Sequence, residues 1–148
     1  MGKVSEILLD EAVRPRVIED CAKLVDEEVA AKKGATGLFI KAGYKSFKTV
    51  KPGIVPAAAA FLLPEFAAVM DRYHERFLAE GQPGLFAEWL SSRADQVAED
   101  LLAITDLVVA KSEVTGIKPI YSGLRKIGKK NVAAAVPAIG RLIARYTA

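Results

Sequence analysis

The side chains best suited to chemistry are carboxylates, and they occur in two sets of the same spacing. Glu19, Asp20 and Asp26 recur eighty residues later as Glu99, Asp100 and Asp106. On a helix, Glu19 and Asp26 are seven residues apart and share a face, as do Glu99 and Asp106. Two such helices set face to face would offer oxygen ligands to a hard divalent cation. A di-metal carboxylate bundle also draws on paired Glu-x-x-His units, and this chain has a single histidine, His74. Lys23 stands one turn from both Glu19 and Asp26, ready to pair locally. The acids therefore read as partners or caps of basic elements, or as a solvated face, and no metal or other cofactor is expected.

Other candidates weaken in the same way. Asp71-x-x-His74 has the spacing of an acid–base pair, but it has no counterpart in the second acidic region, and a lone histidine on an amphipathic helix is expected at the surface or its boundary. Tyr44 and Lys48 spell the Tyr-x-x-x-Lys of short-chain dehydrogenases without the glycine-rich turn or βαβ pattern that chemistry requires. The single cysteine, Cys21, has no catalytic histidine beside it and reads as a buried thiol. One cysteine forms no intramolecular disulfide and fits a reducing, cytoplasmic setting. With no nucleophile elbow, P-loop or Cys-x-x-Cys pair, an enzyme is not expected.

The basic residues carry more. Net charge is only +3, but residues 29–64 hold six lysines and no acid, and residues 114–148 hold seven Lys or Arg and no acid. Lys41, Lys45, Lys48 and Lys51 in the first region, and Lys118, Arg125, Lys126, Lys129 and Lys130 in the second, sit at matching places, with Lys45 corresponding to Arg125. Each group precedes an apolar helix whose free N–H groups also favour anions. Together they make a candidate bipartite anion-binding face, suited to a phospholipid surface or another phosphate-bearing partner. Nucleic acid is the weaker candidate, because little aromatic residue is interleaved and no binding module is recognisable.

The elements that position these residues are all helical. Ser5 is the expected N-cap of a short first helix, and a second runs from about Pro15 to Lys33. Thr36 is expected to cap a third helix, on which Ile40, Tyr44 and Phe47 make an apolar stripe and Gly43 permits close approach by a neighbour. Lys51-Pro52-Gly53 is a turn, and Pro64 must kink or split the helix that follows. Residues 54–63 are uncharged all round and are expected to be buried. After the Gly81-Gln82-Pro83-Gly84 linker comes Leu85-Phe86-Ala87-Glu88-Trp89-Leu90, and a long helix then follows to about Lys111. Thr115-Gly116 opens a short helix with Ile120, Leu124 and Ile127 on its stripe and Gly123 beside it, and a last helix covers about 131–146. No stretch has the ~18 consecutive apolar residues of a membrane span, and no signal core is evident at the N-terminus.

Position by position, residues 16–57 and 96–138 resemble each other: Val17, Glu19, Asp20, Asp26, Val29 and Ala30 recur as Val97, Glu99, Asp100, Asp106, Val109 and Ala110. The expectation is one all-α domain over residues 1–148, a helical bundle made from a duplicated unit, about 1–80 and about 84–148, with a pseudo-two-fold axis. The expected function is non-enzymatic binding through the basic face. A carrier with an apolar cavity at the dyad, lined by residues 54–63 and 132–139, ranks second. A metal-dependent carboxylate enzyme ranks last. Oligomeric state is left open.

Overall fold

The computed structural model describes residues 2–113 and 117–148, with the backbone alone at Phe47, Ile117, Ile120, Leu124 and Lys126. The expected start at Thr115-Gly116 and the side-chain roles of Phe47, Ile120, Leu124 and Lys126 thus lie outside the described residues. Among those described, seven α-helices follow one another without a strand: α1 (Lys3–Leu8), α2 (Arg14–Ala30), α3 (Gly34–Val50), α4 (Ile54–Ala79), α5 (Phe86–Ser91), α6 (Ala94–Ala110) and α7 (Ile117–Thr147). The protein is all-α.

Local chemistry sets most boundaries. Pro15 falls in the first turn of α2, where its missing N–H leaves no bond unmade. Gly53, at φ +82°, takes the left-handed turn that separates α3 from α4. Two prolines do not break their helices. α4 runs through Pro64 and α7 through Pro137, directly after the buried Leu63 and Val136. An interior proline costs about 3 kcal/mol, which burial of the flanking apolar residues outweighs. The two helices expected on either side of about residue 130 are one helix of 31 residues.

The core is contiguous. Val4 and Leu8 of α1, Leu63 to Phe77 of α4, Trp89 and Leu90 of α5, Val97 to Ile104 of α6, and Val136 and Ile143 of α7 all contribute. α1 packs on α4 much as α5 packs on α7, while α2 lies along α4 and α6 along α7. An aromatic group fills the centre: Phe77 meets Phe86 edge-on at 5.2 Å and Trp89 at 5.6 Å. The closest helix approach is at Gly140 of α7, where an added Cβ would lie 2.7 Å from the Ala87 Cα of α5. Gly43 and Gly123, expected at close approaches, face open space instead.

Three further expectations change. Ser5 is not an N-cap: it lies inside α1, 2% exposed, and its N–H and that of Gly2 are bound by Asp71 of α4, at 2.8 and 3.1 Å. The Ser5 Oγ donates to the same carboxylate, so Asp71 caps α1 from across the fold. His74 is buried, because the C-terminal part of α4 lies between α1 and α5. Residues 54–63 are not a buried segment: Ala57, Ala58, Ala60 and Phe61 are exposed, since α3 packs chiefly on α2, meets α4 sparsely and leaves this stretch uncovered. By length and composition α4 would suffice to cross a membrane, yet its C-terminal part belongs to the core.

Candidate functional site

The acidic residues find their partners on neighbouring helices. The chain has four tyrosines, and each donates its hydroxyl to a different aspartate. Tyr44 of α3 bonds Asp26 of α2, and Tyr121 of α7 bonds Asp106 of α6. The other two bonds join distant parts of the chain: Tyr73 of α4 reaches Asp100 of α6, and Tyr146 of α7 reaches Asp20 of α2. Burial, then the bonded carboxylate, pushes the Tyr44 and Tyr73 hydroxyls well above their ordinary pKa.

Cations join two of these pairs. One turn after Tyr44, Lys48 places Nζ 3.1 Å from Asp26 and lies over the Tyr44 ring. One turn after Tyr121, Arg125 grips Asp106 with Nε and Nη2, both at 2.9 Å. The same guanidinium takes both Glu99 oxygens at 3.2 Å, and Lys129 Nζ adds a second cation to Glu99 at 3.2 Å. The Tyr44 bond and then Lys48 hold the Asp26 carboxyl below its usual range, while Arg125 followed by Tyr121 does so for Asp106. Arg125 and then Lys129 lower Glu99, and the two acids raise Arg125 further above its already high value. Chemically these are clasps that tie α3 to α2 and α7 to α6.

The eight basic candidates therefore separate. Lys48, Arg125 and Lys129 are engaged by carboxylates. Lys41, Lys45, Lys51 and Lys130 have no carboxylate partner among the described residues, and Lys45, Lys51 and Lys130 are exposed. The Lys126 side chain lies outside the described residues. Sequence reasoning matched Tyr44 with Leu124 by position and so missed Tyr121. The overlooked signal is chemical: Tyr44-x-x-x-Lys48 and Tyr121-x-x-x-Arg125 both point an aromatic hydroxyl and a cation at one aspartate.

Little else resembles a reaction centre. Two open crevices stand out. One, of about 410 Å³, is lined by residues 91–96, and the other, of about 220 Å³, by Arg72, Tyr73, Arg76, Gln96 and Asp100. Neither touches residues 54–63 or 132–139. No group of three or more His, Cys, Asp or Glu gathers as a metal site among the described residues. Cys21 is half-buried, and burial followed by the nearby Asp20 charge pushes its thiol up to about 11.

Fold and site together define an all-α protein whose helices are tied by tyrosine–aspartate bonds, two of them reinforced by cations. The chain belongs to a family of unknown function, DUF6918, which matches residues 4–147. No curated protein and no solved structure matches it.

Proposed function

We propose that this is a non-enzymatic helical binding protein, built from a duplicated unit, that attaches to an anionic phospholipid surface through the basic residues of α3. The carrying observation is the acid-free stretch 29–64, in which Lys41, Lys45 and Lys51 keep their charges uncommitted while Lys48 is spent on Asp26 and, in the second region, Arg125 and Lys129 are spent on Glu99 and Asp106. The anion-binding face is then chiefly α3 and the Lys51 turn after it, with Lys130 an outlier of the second region. The setting is cytoplasmic, as a single unpaired cysteine suits.

Several observations support the duplication. α1 and α5 each have 6 residues, α2 and α6 each have 17, and Val17 and Val97 are both 0% exposed. Pro64 precedes Arg72-Tyr73 by the same interval as Pro137 precedes Arg145-Tyr146. Those two tyrosines make reciprocal bonds, Tyr73 to the second acidic helix and Tyr146 to the first, as a pseudo-two-fold relation requires. This exchange supports reading the whole chain as one domain.

A juxtamembrane lysine is worth about 1 kcal/mol at an anionic leaflet, so three give about 3 kcal/mol, and attachment by charge alone is weak and salt-sensitive. The test is co-sedimentation with neutral and anionic vesicles over a salt series, with duplex DNA as competitor. Binding to anionic vesicles alone is expected, weakening as salt rises and falling about thirtyfold or more in the K41E/K45E variant. Absence of vesicle binding, or displacement by DNA, refutes the reading.

A further inference from the structure

α3 presents three faces. Tyr44 looks toward Asp26 of α2, and Lys41, Lys45 and Lys48 follow on the next side. The remaining arc holds Leu38, Phe39, Ala42, Ser46 and Val50, all uncharged and exposed, with Leu38 at 70%, Phe39 at 65% and Val50 at 86%. Beyond the Lys51-Pro52-Gly53 turn, Phe61 is 69% exposed. Single exposed apolar residues are ordinary on a soluble protein, but here Leu38, Phe39 and Val50 lie along one helix beside a row of lysines, and Phe61 lies near the start of the next.

We infer that the α3–α4 arm is an interfacial wedge: Leu38, Phe39, Val50 and Phe61 enter the headgroup–acyl boundary of an anionic bilayer while Lys41, Lys45 and Lys51 meet its phosphates. This rests on the phospholipid reading above and supplies the second signal that charge alone lacks. The occupant follows from charge complementarity. Residues 29–64 contain no acid, so an anionic surface approaches the arm without repulsion from its own sequence. Apolar side chains with adjoining lysines also match the geometry of a helix lying in the plane of a membrane interface. The arm presents this face outward, since among the described residues α3 packs chiefly on α2 and more sparsely on α4, and Leu38, Phe39 and Val50 are exposed.

Cysteines introduced singly at Phe39, at Val50 and, as a control, at Lys111 of α6 are labelled with an environment-sensitive NBD dye. Cys21 is changed to Ala in all three, so that only the introduced thiol reacts with the dye. With phosphatidylserine-containing vesicles, emission from positions 39 and 50 is expected to strengthen and shift to the blue while position 111 stays unchanged. The F39S/F61S variant, altered only at exposed sites, is expected to lose vesicle binding at raised salt about tenfold or more. Sedimentation with vesicles while the dyes at 39 and 50 remain in water overturns the wedge and leaves electrostatic attachment standing. No sedimentation at all removes the phospholipid reading itself. If F39S/F61S instead dissociates an oligomer in lipid-free light scattering, the face belongs to a second copy of the chain and the wedge is refuted.

Discussion

His74 lies 5.4 Å from the ring of Phe86 and 6.4 Å from Phe77, with 5% of its surface exposed. Burial pushes its pKa below the ordinary 6.5, the Lys3 charge adds to the fall, and Asp71 and Glu75 oppose it. The unfolded chain therefore binds a proton more readily than the folded one. The stability His74 contributes is complete above its unfolded value and is lost as pH falls through the lower folded value. The urea midpoint should decline from pH 6.5 down to about pH 5, before the carboxylates titrate. H74F, which suits its aromatic neighbours, should flatten that decline; an equally steep slope in H74F would place the proton elsewhere. The sequence placed this histidine at the surface because its helix carries charges at Asp71, Arg72, Glu75 and Arg76. Asp71 turned out to face inward, consumed by the start of α1.

At the scale of elements, glycine shows how context reverses one substitution. Gly140 lies against the Ala87 backbone, so G140A must push α7 from α5 and is expected to destabilise by about 1–3 kcal/mol. Gly43 sits within α3 with open space around it, and G43A should stabilise by about 0.5–1 kcal/mol through helix propensity. Chemical denaturation of both variants checks the pair, with opposite signs expected. Sequence spacing singled out Gly43 because it adjoins an apolar stripe. It passed over Gly140, whose neighbour Ala87 is 53 positions away and invisible to local periodicity. Periodicity did locate α2 and α6 to within a few residues, because their buried faces repeat at the helical interval. It split α7 at a point where packing on α6 and α5 carries the helix straight through.

For the whole molecule, the informative contacts are those that join the two regions. Tyr73 and Tyr146 each extend from one to an aspartate of the other. Y73F and Y146F should each lower stability by about 1–2 kcal/mol, since each leaves a carboxylate without its donor. Because α4 and α7 both contribute to one core, unfolding should stay a single transition with an unchanged denaturant slope. Two separated transitions in either variant would show that the regions unfold independently.

The helical class, the repeated acidic spacing and the segregation of lysines from acids were all legible in the chain, because each depends on residues within a few turns of one another. The partners of those charges were not. Asp26 and Lys48, or Glu99 and Arg125, meet only after helices fold back on each other, and that meeting separates clasped cations from free ones. Composition alone could not show that residues 54–63 stay uncovered, since burial depends on which neighbour arrives. α3 packs at its edge, and the apolar arm is left facing outward.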